Sequence, residues 1–195
     1  MHLVSIALSL VPAVFAADAA QEILNRPTPP APGWKFLYNC NVTMGYRIDL
    51  GKTATTNFTR ELLPIQGGLF EGMDGLSGMK IRRRARTVWA SEKLKNSAGR
   101  VLAVGGEWST YNTAGYFISD ARYQLQTEDR GDISVSTRGN TVPGGFRHVH
   151  ARFETGSPRY AWMNDILAVG IMQPTKMGYQ IDMWQVVSPN YTYVG

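Results

Sequence analysis

Hydrophobic and polar residues alternate with a period of two along most of the chain beyond residue 33. Phe36, Tyr38, Cys40 and Val42, for example, alternate with mostly polar neighbours, which is the pattern of a strand that buries one face. No segment beyond residue 33 shows a convincing helical period. Further strands are predicted at 58–70, 101–110, 116–127, 133–138, 147–155, 161–173 and 178–187.

Turn-forming residues separate the predicted strands and set the fold class. Segment 45–56 is polar and turn-rich, and Gly67 and Gly68 lie inside the second strand, where paired glycines indicate a bulge or a sharp bend. Short strands at this spacing are typical of a sandwich or a barrel. About eight strands is the number at which a closed barrel encloses side chains or one small ligand. We therefore predict an all-β fold, a single antiparallel β-barrel over 34–187.

The two ends of the chain are predicted to lie outside this barrel. Residues 1–16 combine an apolar run with a small-residue cleavage site at Ala16, which predicts a secretory signal peptide although no Lys or Arg precedes the run. The run is too short to span a bilayer. Residues 17–33 form a Pro-rich mobile leader, and 188–195 form a C-terminal tail. The chain is expected to be secreted or delivered to an endomembrane lumen, with no membrane insertion after signal removal.

One further feature fits a secretory route. Three N-x-[ST] triplets mark Asn41, Asn57 and Asn190 as candidate glycosylation sites. Cys40 is the single cysteine, which excludes an internal disulfide and predicts a buried thiol.

The positive charge of the chain is concentrated in segment 76–98. This segment holds seven Lys or Arg residues against one Glu, so the rest of the chain carries −1, which is the total of +5 less the +6 of the segment. Nucleic-acid binding requires a basic face spread over a recognisable module. Binding to nucleic acid is therefore not expected.

Segment 152–164 contains the most distinctive motif, Arg-Phe-Glu-Thr-Gly-Ser-Pro-Arg-Tyr-Ala-Trp-Met-Asn. Gly156, Ser157 and Pro158 predict a turn that joins two extended runs as a hairpin. The motif resembles the signature of a family of small barrels known as domain of unknown function 3237. Blocks at 64–72, 105–108 and 120–127 agree in the same order, so the resemblance spans roughly 34–187.

Segment 76–98 departs from the family pattern. We interpret it as a surface insertion, a long loop with solvated charge. A basic lid or partner-binding arm and an intron retained in a gene model are the alternatives.

The resemblance also implies a function. The family is similar to dirigent and allene-oxide-cyclase barrels, which guide ring closure or coupling of reactive small molecules, usually as homo-oligomers. Fungal members are linked to natural-product pathways, including ring closure of a phenol hydroxyl onto a prenyl alkene. The resemblance thus implies a cofactor-free cyclase or isomerase acting on an aromatic or polyketide metabolite. The chain has no nucleotide loop, nucleophile elbow or zincin motif, so no cofactor is expected.

Several polar residues of the family blocks are candidates for acid–base chemistry in an aromatic-lined pocket. The candidate proton donors or acceptors are Glu107, Asp120, Glu154 and Tyr160. Arg122 and Arg152 are candidates for stabilising a phenolate or enolate, and Asn164 for bonding a ligand. The candidate ligand-binding residues are Trp108, Tyr123, Phe153 and Trp162.

These interpretations have alternatives. On strand 147–155, His148, His150, Arg152 and Glu154 share one face, which either faces water or places Glu154 in the lumen, where it needs Arg152 or Arg122 as a partner. His148, His150 and Glu154 also resemble the core of the cupin metal motif, although a second histidine block is absent. Asp120 can equally pair with Arg122. A lipocalin-like protein that binds an apolar ligand without transforming it is the alternative function.

Overall fold

The computed structural model describes residues 30–72 and 99–189, which form ten strands and one 3-10 helix. The predicted signal peptide, most of the leader, segment 76–98 and Asn190 lie outside the described residues. None of the helical structure within the described ranges is long and apolar enough to cross a membrane. The elements are β1 Gly33–Met44, β2 Ile48–Lys52, β3 Thr59–Gly72, β4 Gly99–Glu107, β5 Thr110–Tyr111, β6 Phe117–Gln126, β7 Asp132–Thr141, β8 Arg147–Glu154, the 3-10 helix Ala161–Asp165, β9 Ala168–Pro174 and β10 Gly178–Val187.

Eight of the strands close into an antiparallel barrel. The order around the ring is β1, β10, β9, β8, β7, β6, β4 and β3, and the pairing of β1 with β3 closes it. Strand β2 pairs with β3, and β5 pairs with β3 and β6, so both add to the ring at one end. The predicted all-β barrel is confirmed.

Two local predictions are wrong. The segment after β1 contains the short strand β2, which pairs with β3 through its backbone. Most residues of β2 are exposed, so its sequence shows no apolar alternation that would predict a strand. The chain also forms no tight hairpin at Gly156–Pro158. Residues 161–165 form a 3-10 helix instead of a strand, because Tyr160 and Met163 are buried at this end of the barrel. Strands β8 and β9 still pair as antiparallel neighbours.

Glycines mark bulges in two adjacent strands, as the sequence predicts for β3. The register of β3 against β4 shifts between Pro64 and Gly68, and that of β4 against β6 shifts between Val101 and Gly105. Gly105 has φ +93°. A Cβ atom at Gly105 would lie 2.1 Å from the backbone oxygen of Arg122. Only glycine fits this bulge without a shift of the neighbouring strand.

We predict that Gly105→Ala lowers the free energy of unfolding by about 2 kcal/mol, because the new methyl group meets backbone and the positive φ is unfavourable for alanine. Urea denaturation measures the change. Gly156→Ala is the matched control, since its Cβ meets nothing within 4 Å. Equal stability of the two variants would contradict the bulge as described.

Large side chains fill the middle of the barrel and one of its ends. The Tyr38 ring packs edge-on against Phe70 and Phe153, with ring centroids 6.1 and 6.3 Å apart. The Tyr38 and Tyr123 hydroxyls share a hydrogen bond of 2.9 Å, and Cys40 is buried as predicted. Burial raises the pKa of both tyrosines well above the ordinary value, so they remain uncharged. Space for a guest must therefore lie at the other end.

Candidate functional site

The candidate site lies at the end of the barrel where β1 and β4 finish and where β6, β8 and β10 begin. We call this the Arg147 end. Strand alternation turns Arg147 to the same side as Val149, Ala151 and Phe153, which are all buried in the core. The inward face of β8 is thus apolar except for its first residue.

Glu107 is the buried acid of this end. It is 1% exposed at the last position of β4. The Ser119 hydroxyl donates to Oε2 at 2.8 Å, and the Asp120 amide donates to Oε1 at 2.6 Å. Burial raises the pKa of Glu107 to about 7, against the lowering effect of these two hydrogen bonds. At neutral pH the carboxyl group is therefore present in both protonation states, as a general acid or base requires.

Arg147 is a partly buried cation at the same end. Its guanidinium carbon lies 4.2 Å from the ring centroid of Phe117 and 5.3 Å from that of Tyr179. Nε and Nη1 are buried and have no hydrogen-bond partner among the described residues. Within the same ranges no carboxylate lies within ion-pair distance of Arg147. Its charge lowers the pKa of Glu107, by less than burial raises it.

A second carboxylate at this end is already balanced. Glu61 is 4% exposed, accepts a 3.0 Å hydrogen bond from the Ser109 hydroxyl and pairs with Nε of Arg47 at 3.2 Å. Burial, and next the charge of Glu61, raise the pKa of Tyr111. Burial raises the pKa of Tyr179 to about 12. Both tyrosines therefore keep their protons at neutral pH.

Two spaces meet at the Arg147 end. The inner cavity has a volume of about 10 Å³, room for about one water molecule, and is lined by Glu107, Tyr123, Met172 and Tyr179 among others. The outer vestibule has a volume of about 320 Å³, within the range of small-molecule sites, and its lining includes Met44, Leu63, Met177 and Tyr179. Met44 and Tyr179 line both spaces. These two side chains stand between the vestibule and Glu107.

The structure separates the predicted residues of β4 and β6. Glu107 and Tyr123 share the inner cavity, whereas Arg122 points outwards, pairs with Asp120 at 3.6 Å and stacks over Trp108 at 5.4 Å. Trp108 and Asp120 line an outer groove of about 270 Å³. The predicted convergence of Arg122 with Glu107 in the lumen is wrong, because Arg122 lies between two inward-facing residues on a strand.

The polar face of β8 also points to solvent. The side chain of Glu154 is 69% exposed and pairs with Arg152 at 3.8 Å, so the expected lumenal position of Glu154 is wrong. His148 and His150 share this exposed face. No group of three His, Cys, Asp or Glu side chains that could hold a metal occurs in the part of the chain that the structure describes.

The predicted residues after β8 lie at the opposite end of the barrel. The buried Tyr160 donates a 2.7 Å hydrogen bond to Asp129, beside the turn after β6. Asn164 bonds the backbone of Thr155 through both amide atoms, at 2.8 and 3.1 Å, so it is not the buried strand residue that the sequence predicts. Trp162 is 39% exposed. These contacts hold the connection between β8 and β9 in place.

Phe153 has a packing role in the filled part of the barrel. Its side chain is 1% exposed and lies against the Tyr38 ring. It does not line the inner cavity beside Glu107.

Four residues of the Arg147 end were missed by reasoning from the sequence. Arg147 shares strand parity with the apolar face of β8, and Tyr179 shares it with Ile181 and Met183 on β10. The sequence therefore already indicates that both side chains lie on the apolar face of their strand. Glu61 and Tyr111 gave no comparable signal, because their burial depends on the added strands β2 and β5.

Comparison with known proteins gives three kinds of match. The family model described as "Protein of unknown function (DUF3237)" matches residues 32–186. The hydroalkoxylation enzyme phnH of Penicillium herquei is 27% identical over 173 residues, which are 88% of this chain and 93% of that protein. A solved enzyme from Penicillium herquei superposes with a TM-score of 0.56 at 25% identity, over 83% of this chain and 98% of that one. A beta-barrel like protein from Acinetobacter baumannii AYE has a TM-score of 0.62 at 23% identity, over 83% and 99%, and shares the fold.

Proposed function

This chain belongs to the DUF3237 family, and from that premise we propose that it is a cofactor-free cyclase for aromatic or polyketide small molecules. The proposed reaction is the addition of a hydroxyl group across a carbon–carbon double bond of the same molecule. The similarity of this chain to a hydroalkoxylation enzyme, over most of both chains, supports this reaction type.

Glu107 is the observation that carries the proposal. A carboxyl group with a pKa of about 7 holds a proton at neutral pH for part of the time and gives it up readily. In the proposed step the alkene carbon takes the proton of Glu107, the substrate oxygen forms a bond to the adjacent carbon, and a proton equivalent to the one that the hydroxyl loses restores the acid. The product is an isomer of the substrate, so no oxidant or reductant is needed.

The surroundings of Glu107 support an apolar substrate. Met44, Leu63 and Met177 line the vestibule together with the polar Thr175 and Lys176, and methionine adapts to ligands of irregular shape. Exposed hydrophobic side chains stand on four connections at the Arg147 end, and large exposed apolar residues near a cavity mark binding surfaces. They are Tyr46, Tyr116, Phe146 and Met177.

We predict that the protein converts an ortho-prenylated phenol into its cyclic ether, and that the ether formed in deuterium oxide carries one deuterium on carbon. The label follows because Glu107 exchanges its proton with the solvent before it protonates the alkene. Chromatography separates the isomers, and mass spectrometry and NMR locate the label. Heat-unfolded protein is the control. Recovery of bound but unchanged phenol would favour the lipocalin-like alternative.

Other properties remain proposals. We propose the secretory route from the sequence and a homo-oligomeric state from the family resemblance. Asn41 and Asn57 are exposed in the structure, as glycan attachment requires, and Asn190 lies outside the described residues.

A further inference from the structure

We propose that Arg147 binds an ionised oxygen of the substrate, so that the substrate is a phenol or enol that reacts as its anion. The proposal deepens the proposed function and rests on it for the reaction, but anion binding by Arg147 can be measured without any turnover.

The guanidinium group has donors that the described residues do not use. Nε and Nη1 are both buried and lack a partner among these residues. Buried polar atoms are nearly always hydrogen-bonded, and unmet donors on a charged group are especially costly. The Phe117 and Tyr179 rings lie close to the guanidinium and favour its charge, but ring contacts leave the N–H groups unsatisfied. A planar fork of donors between two rings suits an aromatic anion.

The charges at this end also favour an anion. Glu61 is paired with Arg47, and the raised pKa values of Tyr111 and Tyr179 keep both hydroxyls neutral. Glu107 also acts on this region, and its acid form is uncharged, while Lys176 in the vestibule lining adds a further positive charge. When Glu107 holds its proton, Arg147 is therefore a partly buried cation that no carboxylate of the described residues compensates at ion-pair distance. The form of the protein that can donate a proton is also the form that attracts an anion.

Position around the barrel separates the acid from the cation. Glu107 lies on β4 and Arg147 on β8, with β6 and β7 between them in the ring. The carboxyl oxygens of Glu107 are held by Ser119 and by the Asp120 amide instead of by Arg147. Tyr179 lies near both groups, since its ring is 5.3 Å from the Arg147 guanidinium carbon and lines the inner cavity with Glu107. That cavity holds about one water molecule, so a substrate oxygen at Arg147 and an alkene at Glu107 require Tyr179 and Met44 to move aside.

The proton balance of the step closes without a further reactant. The substrate hydroxyl loses its proton to water when the oxygen binds Arg147. Glu107 then gives its proton to the alkene carbon while the anionic oxygen forms the new carbon–oxygen bond. Glu107 finally takes a proton from water, which replaces the one that the hydroxyl released.

Binding of 2,4-dinitrophenolate tests the proposal, with its methyl ether 2,4-dinitroanisole as the uncharged probe. Titration at mildly acidic pH keeps the phenolate ionised and most Glu107 protonated. We expect Arg147→Gln to weaken phenolate binding about 10- to 100-fold, which is typical for the loss of a charge-assisted hydrogen bond. Ether binding should stay unchanged, Arg147→Lys should recover part of the phenolate affinity, and the exposed-site control Arg100→Gln should match the wild type.

Two results would overturn the anion site. One is a wild-type protein that binds the phenolate no more tightly than the ether, including the case in which it binds neither. The other is equal phenolate affinity in wild type and Arg147→Gln. Arg147-dependent phenolate binding without ring closure of any prenylated phenol would instead refute the proposed function and leave the anion site standing.

Discussion

Glu107→Gln is expected to lower the rate of ring closure by at least about 100-fold, which is the lower range for general acid–base catalysis. Glutamine has nearly the same shape as glutamic acid, and its amide can accept from the Asp120 N–H and donate to the Ser119 hydroxyl. It cannot supply a proton to an alkene at neutral pH. The measurement is kcat for ring closure of an ortho-prenylated phenol, with thermal unfolding as the check on folding.

The pH profile of the wild type provides a second readout of the same role. Because the protonated carboxyl group is the active form, kcat/KM divided by the ionised fraction of the phenol should fall about tenfold per pH unit above the pKa of about 7. Glu128→Gln, at an exposed site in the turn after β6, is the matched control. Unchanged turnover in Glu107→Gln would refute the assignment. Loss of turnover in Glu154→Gln instead would move the chemistry to the outer face of β8.

The stability of the wild type relative to Glu107→Gln is expected to fall as the pH rises from about 4.5 to about 7. Folding raises the pKa of Glu107 from 4.5 to about 7, so in this window the folded protein binds a proton that the unfolded chain has lost. Stability from this group is therefore complete below the unfolded pKa and is lost as the pH rises through the folded one. The slope is about 1.4 kcal/mol per pH unit, which totals about 3 kcal/mol.

Urea denaturation of both proteins at the two ends of this window measures the effect. Other titrating groups contribute to both proteins alike, so the difference between them isolates Glu107. The free energy of unfolding of the variant, relative to that of the wild type, should rise by about 3 kcal/mol from the acidic to the neutral end. A difference that does not change with pH would mean that Glu107 is ionised in the folded protein as easily as in water.

Glu107 and Arg147 share a physical feature that sets them apart from the other charged residues of the described chain. Each has buried polar atoms and no ion-pair partner among the described residues, whereas Glu61, Asp129 and Glu154 have ion-pair partners. Such groups reduce stability, and natural proteins retain them mainly at functional sites. The Arg147 end is therefore where function and folding make opposing demands.

Much of the fold could be predicted because strand alternation is a local property. A strand that buries one face needs an apolar residue at every second position, and this pattern predicted strands at most of the observed positions. The paired glycines predicted the bulge in β3, since no other residue permits such close approach of backbones. The 3-10 helix could not be predicted, because it depends on Tyr160 and Met163 covering the end of a barrel built by distant strands.

The candidate site was predicted only in part. The sequence by itself determined the barrel and singled out Glu107 and Tyr123, through alternation and family motifs. Only the tertiary structure decided which face of each strand is the interior. On β8 the apolar face turned inwards, because burying Arg152 and Glu154 costs more than burying Val149 and Phe153. Closure of the barrel then placed Arg147 and Glu107 at one end, since these two residues are far apart in sequence and come together only when the edges of the sheet join.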